Sequence, residues 1–287
     1  MRRARGGVPD GGVGDALTPR DPRCPLRIPG LSRSGLRADR DSGGALCDGV
    51  RAMGHHRGVH AVFVPGSGRS GAPAWPTQAT AVDLRRWRCR FVDLTGLATP
   101  DEQRDAVTAA LGTSGHLVAH AAGAVAALRV AELGPGTVRS LVLLEPAAFS
   151  AARGGPHVEA YVAAMAAVFA HAGDPRVRDG DVAVRYLSAL GAPGAAIADP
   201  GDPSLRSLGR RVRRSTPPWQ VPLDVGVVAR VPTLVVTGGW SPLYEEVAAA
   251  LVAAGASTRV LPGYGHRVQD HPGLNALLQE HWAAAEG

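Results

Sequence analysis

Short β-rich runs alternate with helical runs along this chain from His60 onward, and this alternation limits the possible folds more than any other feature. It is typical of a parallel β-sheet whose strands are joined by crossover helices. The sequence predicts six strands, at 61–64, 90–93, 116–120, 140–144, 233–237 and 257–261. We therefore expect an α/β fold with a mostly parallel sheet and helices on both of its faces.

Residues 150–215 interrupt the alternation between the fourth and fifth predicted strands. Two amphipathic runs in this stretch, at 158–169 and 182–190, indicate helices. The stretch is too long for a simple connection, so the sequence predicts a helical cap inserted at the carboxyl edge of the sheet. The predicted core is then formed by residues 57–149 and 216–287.

Residues 1–56 contain no apolar periodicity and are rich in Gly, Pro, Arg and Asp. Such a segment buries too little surface to offset its ordering entropy, so we expect a disordered leader. The net charge is +6, and residues 1–52 supply four units of it through ten arginines and six aspartates. Because the excess lies in this leader and no basic helix or stacking motif accompanies it, no nucleic-acid partner is expected.

Three cysteines without Cys-x-x-Cys spacing predict neither a disulfide framework nor a zinc site, and no other metal or cofactor is expected. No apolar run reaches the roughly 18 residues that span a bilayer. The basic opening lacks the apolar stretch of a signal peptide. We therefore expect a cytoplasmic protein without membrane contact. The sequence does not indicate an oligomeric state.

The strand predicted to end at His120 runs into a helix through a turn of small residues, Ala-His-Ala-Ala-Gly. It resembles the nucleophile elbow of α/β-hydrolases, whose usual pattern is Gly-His-Ser-x-Gly. Ala119 and Gly123 supply the small residues that the sharp turn needs. The nucleophile position is Ala121, which carries no nucleophilic atom. The resemblance covers residues 58–287 and implies the α/β-hydrolase fold with an elbow that lacks its serine.

The run Val-Pro-Gly-Ser-Gly after the first strand resembles the oxyanion loop of the same family. By that resemblance, the backbone N–H groups of Ser67 (or Gly68) and Ala122 would hold a developing oxyanion. Pro65 replaces the usual histidine, which matters little because the donors are backbone groups. The Gly-x-Gly-x-x-Gly and Walker patterns of phosphate-binding loops are missing.

The resemblance also implies a catalytic histidine after the last strand, where Gly-Tyr-Gly-His places His266. A histidine on a glycine-rich loop is poorly explained by core packing, so we assign the catalytic position to it. His271 and His281 are expected to be surface or helix-packing residues. The order of elbow, acid and histidine along the chain agrees with that of the family.

The acid of the triad has two candidate positions. The commonest family position, after the fifth predicted strand, holds Ser241, which we expect to cap the following helix. The other position follows the fourth strand, where Glu145 stands 24 residues after the nucleophile position, similar to the arrangement of some haloalkane dehalogenases. We predict Glu145 as the acid; the alternative is a strand-end carboxylate that binds local N–H groups. If Glu145 is not the acid, Glu245 and Asp270 are the next candidates.

Without an oxygen or sulfur at the elbow, acyl transfer through a covalent intermediate is not expected. We expect a family member that binds a small apolar or carbonyl-bearing ligand, with weak non-covalent hydrolysis assisted by His266 and Glu145. Two alternatives stay open. One is a non-catalytic ligand-binding pseudoenzyme. The other is an ordinary esterase-like serine hydrolase whose serine has been replaced at position 121.

Overall fold

The structure is a computed structural model that describes residues 60–67, 70–81, 83–134, 136–190 and 194–287, without the side chain of Ala196. The predicted leader at 1–56 lies outside these described residues. The division of the chain into a core and a cap stays a prediction.

The strands of the described residues form one sheet, in which every neighbouring pair is parallel. They are β1 His60–Val64, β2 Arg88–Phe91, β3 Gly115–His120, β4 Val138–Leu144, β5 Thr233–Thr237 and β6 Ser257–Val260. Their spatial order is β2-β1-β3-β4-β5-β6. Each of the six predicted strands is present. β2 begins and ends two residues earlier than predicted, because its pairing with β1 runs from His60 opposite Arg88 to Phe63 opposite Phe91.

The α-helices of the described residues are α1 Pro76–Thr80, α2 Pro100–Leu111, α3 Gly123–Leu133, α4 Pro156–Ala172, α5 Asp179–Ala189, α6 Pro203–Arg214, α7 Val227–Arg230, α8 Pro242–Ala253 and α9 Leu274–Glu286. Local sequence explains where α2 begins. The Thr99 hydroxyl accepts from the Glu102 amide (3.2 Å), and the Glu102 carboxyl accepts from the Thr99 amide (2.9 Å), which caps α2 reciprocally.

Helices cover both faces of the sheet, as the sequence predicts. Val62 and Val64 of β1 point into a cluster with residues of α2, α3 and α8, whereas Ala61 and Phe63 point into a cluster with residues of α9. Alternate side chains of a strand face opposite sides, so a strand covered on both sides becomes apolar throughout. Trp282 of α9 is completely buried on the second face.

The helices α4, α5 and α6 lie between β4 and β5 in the chain, within the stretch predicted to be a helical insertion. Glu246 of α8 accepts a hydrogen bond from the Val158 amide (2.7 Å) at the beginning of α4. Arg213 of α6 donates to the Asp179 carboxyl at the start of α5 (2.9 Å). The first contact joins α4 to α8 and the second joins α6 to α5. Arg213 also donates to the Ala172 carbonyl at the end of α4, which connects that pair of helices to α4.

No helix among the described residues has both the length and the apolar character needed to cross a bilayer. The cytoplasmic location stays a prediction. Within the same residues, no group of three or more His, Cys, Asp or Glu side chains is arranged to hold a metal ion.

Candidate active site

The turn between β3 and α3, which we call the elbow (residues 119–123), has an unusual backbone conformation. Ala121 has φ 48°, in the left-handed region that residues other than glycine rarely adopt. Its amide donates to the Leu144 carbonyl (2.9 Å), and its carbonyl accepts from the Ala124 amide (3.1 Å) at the start of the helix. Such conformations cost about 1–3 kcal/mol and are concentrated at functional sites. The chain retains this geometry although Ala121 supplies no nucleophile.

Close packing explains the small residues of the elbow. A Cβ atom on Gly123 would lie 2.4 Å from the Pro65 carbonyl oxygen and 2.8 Å from that of Val64. A Cβ atom on Gly66 would lie 3.1 Å from the Ala121 Cβ. Helix α3 therefore begins directly against the end of β1, and the loop after β1 lies beside position 121.

The predicted oxyanion donors lie on the two sides of this contact. Ala122 immediately precedes α3, and its amide makes none of the hydrogen bonds formed among the described residues. Ser67 is exposed and follows Gly66, the residue packed against Ala121. Gly68, the alternative donor, lies outside the described residues. Amides at a helix N-terminus are suited to stabilise a negative oxygen.

Glu145 follows β4 as Ala121 follows β3, and it too has a positive φ, 46°. Its side chain is completely buried. One carboxyl oxygen accepts from the Gly238 amide (2.6 Å) and the other from the Trp240 indole N–H (3.0 Å). A buried carboxyl group is tolerated only when its oxygens are hydrogen-bonded, and both oxygens here meet that condition.

His266 lies next to Glu145. The His266 Nδ1 is 3.5 Å from the Glu145 Oε2, at the long end of the hydrogen-bond range. Catalytic hydrogen bonds are often long before a substrate binds. The Tyr244 ring is stacked on the imidazole with 5.0 Å between centroids, and Trp240 approaches it edge-on at 6.3 Å. The structure thus brings together the predicted histidine and the predicted acid.

The other acid candidates make different contacts. Asp270 pairs with Arg267 (2.6 Å), and neither Glu245 nor Ser241 bonds to His266 among the described residues. Ser241 does stand immediately before α8, but its side chain makes no capping hydrogen bond, so the expected side-chain cap is wrong. Its backbone φ and ψ of −130° and 116° are ordinary for a residue that precedes a helix. The amide of Tyr244, the third residue of α8, donates to the Ser241 backbone carbonyl (3.1 Å) instead of to the hydroxyl.

Sequence reasoning missed the aromatic side chains around His266 and the part played by His120. The His120 Nε2 lies 2.8 Å from the His266 carbonyl oxygen, and the two imidazole rings are 4.7 Å apart. Burial, reinforced by the neighbouring His266, holds the pKa of His120 well below its usual range, so the ring is neutral. The sequence signalled only that a histidine commonly precedes the nucleophile.

Comparison with known proteins identifies the family and the fold. The chain belongs to the alpha/beta hydrolase family, whose sequence model matches residues 61–275. No curated protein sequence matches the chain significantly.

Three solved structures show the likeness of fold. NosK from Streptomyces actuosus is 23% identical, with a TM-score of 0.52, and the match covers 80% of this chain and all of NosK. A structure from a study of carboxylesterases of Nitrososphaera gargenis is 15% identical (TM-score 0.56; 82% and 93% covered). The 2-hydroxy-6-oxo-6-phenylhexa-2,4-dienoate hydrolase of Rhodococcus sp. strain RHA1 is 17% identical (TM-score 0.51; 79% and 91% covered). At these identities the likeness concerns the fold.

Proposed function

We propose that this protein binds a small apolar, carbonyl-bearing molecule and hydrolyses it weakly, without a covalent intermediate. In this proposal His266 acts as general base on a water molecule, and Glu145 orients the imidazole. The observation that carries it is the contact between the buried Glu145 carboxyl and the His266 Nδ1 (3.5 Å). A ligand-binding scaffold would not require this pair.

The proposed reaction needs no nucleophile at position 121. Glu145 accepts from Nδ1–H of His266, which leaves Nε2 as the basic nitrogen. Nε2 takes a proton from water while the water oxygen attacks the carbonyl carbon. The amides of Ala122 and Ser67 bind the resulting oxyanion. When the tetrahedral intermediate collapses, the leaving group departs with the proton that His266 returns.

We also propose that residues 150–215 form a cap over this site, with residues 57–149 and 216–287 as the core. Aromatic rings connect the two. Tyr161 of α4 packs on Phe149 with 4.5 Å between ring centroids, and the Phe149 ring in turn lies 6.2 Å from the Tyr244 ring. Tyr244 is the residue stacked on His266. This aromatic path from α4 to the imidazole favours an apolar ligand.

A second candidate function, non-catalytic ligand binding, is favoured by Ala121 itself. Removing the nucleophile of a serine hydrolase such as subtilisin costs about 10⁶-fold in kcat. Under this alternative, the Glu145–His266 contact is inherited structure that no longer acts on a substrate.

Hydrolysis of p-nitrophenyl butyrate by the unmodified chain and by His266→Gln distinguishes the two candidates. General-base catalysis contributes about 10²–10⁴-fold, so we expect His266→Gln to lose at least about 10-fold of the rate above buffer. His281→Gln is the matched control, because it makes the same change at a histidine of α9 that bonds to the carbonyl of Pro232 (3.2 Å), which precedes β5 and so lies at the opposite edge of the sheet from the elbow. Equal rates for the parent chain and His266→Gln would reject the hydrolytic proposal and leave ligand binding.

A further inference from the structure

A chain of buried polar side chains lies behind the elbow, apart from the Glu145–His266 pair. Gln78 and Gln269 are each 2% exposed, and His120 is 8% exposed. The Gln78 side-chain amide donates to the Gln269 backbone carbonyl (2.9 Å) and to the Asn275 side chain (3.0 Å). The Gln269 side-chain amide lies 3.5 Å from the His120 Nδ1. Buried polar groups are costly unless they are hydrogen-bonded, so this row of buried polar side chains needs an explanation.

The partners of His120 determine its tautomer. The His266 backbone oxygen can only accept, so the His120 Nε2 must carry the hydrogen across the 2.8 Å contact. The Nδ1 is then unprotonated and accepts from the Gln269 side-chain amide. Both ring nitrogens of neutral His120 are thereby satisfied in one fixed orientation. The low pKa of His120 keeps this neutral form throughout the physiological range.

The loop that carries His266 needs such a contact. Gly263 and Gly265 both have positive φ, 94° and 53°, and therefore lie on a segment with little intrinsic conformational restraint. A Cβ atom on Gly238 would lie 2.5 Å from the Gly265 carbonyl oxygen, so the loop passes very close to the end of β5. Backbone bonds hold its two ends, from Leu261 to Thr237 and from Arg267 to Tyr264. The bond from His120 reaches the carbonyl of His266 itself.

We propose that His120 is a positioning residue that holds His266 in its working orientation through a hydrogen bond from Nε2 to the His266 carbonyl oxygen. Gln269 supports His120 by donating to its other nitrogen. The inference rests on the proposed role of His266 as general base. It assigns to the residue before position 121 a task that does not depend on which residue occupies position 121.

Three substitutions separate this bond from ring packing. A glutamine amide can reach the position of Nε2, so His120→Gln keeps the donor to His266. His120→Asn reaches only the position of Nδ1, and His120→Phe keeps the ring but removes both nitrogens. The matched control is His281→Phe, which removes a similar imidazole-to-carbonyl bond on α9, remote from the elbow.

The first measurement uses variants made with Ala121 unchanged. It follows hydrogen exchange of the Arg267 and Asp270 amides, which donate to the carbonyls of Tyr264 and Arg267 (2.9 Å each) beside His266. We expect exchange to accelerate at least about 10-fold in His120→Phe and His120→Asn, because local opening becomes easier. His120→Gln and His281→Phe should exchange like the parent chain at these amides. Unchanged exchange in both the Asn and Phe variants would overturn the proposal, as would equal acceleration in His120→Gln.

The second measurement repeats the series in an Ala121→Ser background with an ester substrate. A small displacement of a catalytic group costs about 10²-fold in rate, so kcat should fall about 10–100-fold in the Asn and Phe variants. KM should stay within threefold, and His120→Gln should recover most of kcat. A fall in kcat shared by His281→Phe, or a change confined to KM, would contradict a positioning role. The proposed hydrolysis is rejected separately, by equal rates for the parent chain and His266→Gln, and the exchange experiment then still decides the role of His120.

Discussion

Ala121 and Glu145 lie side by side at the carboxyl ends of two neighbouring parallel strands, and both have a left-handed backbone conformation. Their φ angles are 48° and 46°. His120 pairs with Leu144 in the register of β3 and β4, so each of the two residues is the first after a paired position. The Ala121 carbonyl also accepts from the Ala147 amide (3.0 Å), which joins the two turns. The nucleophile position and the candidate acid are thus part of one rigid backbone arrangement.

The contact between α3 and β1 predicts a strong effect of a single methyl group. Gly123→Ala would place Cβ 2.4 Å from the Pro65 carbonyl oxygen, so the helix must move away from the strand. We expect a loss of about 1–3 kcal/mol in the free energy of unfolding, measured by urea denaturation.

Gly136→Ala is the control for this substitution, because a Cβ atom there meets nothing within 4 Å. It should change the free energy of unfolding by less than about 0.5 kcal/mol. Equal stability of the two variants would show that α3 does not lie against β1 as described.

Glu145→Gln tests the candidate acid. The Glu145 oxygens face three N–H groups, those of Gly238, Trp240 and His266. Glutamine replaces one of these oxygens by an NH₂ group, which must then face another donor. The mismatch should cost about 1–3 kcal/mol of stability. In an Ala121→Ser background, kcat for ester hydrolysis should fall by up to about 10⁴-fold, as in triads whose acid is made neutral, with little change in KM.

Nitrogen-15 shifts of the His266 ring provide a second readout for the same variant. In the parent chain Glu145 should keep the hydrogen on Nδ1, and in Glu145→Gln the other tautomer should gain population. A stability loss without any change in tautomer or kcat would mean that Glu145 only binds the local N–H groups.

Local patterns in the sequence were sufficient to predict the sheet and the tight turn of the elbow. They also singled out Glu145 and His266, whose side chains lie 3.5 Å apart, although the catalytic roles of the two residues stay predictions. Alternation of strand and helix signals predicts a parallel sheet because such strands need crossover helices. The small residues of the elbow reflect the close contact of Gly123 with Pro65, which is a short-range steric requirement. Glycines in the loop before His266 were a similar local sign.

Contacts between distant residues could not be predicted in this way. Tyr244 stacks on His266 across 22 positions, and His120 bonds to His266 across 146. Their place near the imidazole follows from the tertiary fold. Tyr244 has no distinctive local pattern, and the elbow motif that contains His120 does not indicate what this histidine contacts. The missing side-chain cap at Ser241 could not be predicted either, because residue type and spacing do not show that the Tyr244 amide donates to the Ser241 carbonyl instead of to the hydroxyl.

A buried histidine on the face of the sheet that α9 covers predicts a pH dependence of stability. His116 bonds to the Ser140 hydroxyl (2.8 Å) and stacks on Trp282, and burial lowers its pKa to about 4. The unfolded chain takes up this proton near pH 6.5, whereas the folded chain does so only near pH 4. Stability should therefore fall as the pH drops from about 6.5 to 4, by up to about 1.4 kcal/mol per pH unit for this group.

Urea denaturation at pH 7, 6 and 5 measures this slope. His116→Asn keeps a polar partner for Ser140 and removes the titrating group. The slope of its free energy of unfolding against pH should therefore be smaller by the contribution of about one proton. The buried His120 titrates in the same direction and remains in both proteins. Identical slopes for the parent chain and His116→Asn would contradict the burial of His116.

The most direct test of the account is whether position 121 becomes nucleophilic when it receives an oxygen. Intact mass after treatment with a fluorophosphonate should show no adduct on the parent chain and one adduct on Ala121→Ser, mapped by peptide analysis to position 121. Ala121→Ser combined with His266→Gln should react at least about 100-fold more slowly, because the hydroxyl then lacks its base. A folded Ala121→Ser variant that remains unlabelled, or that labels equally fast without His266, would contradict the claim that Ala121 and His266 belong to one catalytic arrangement.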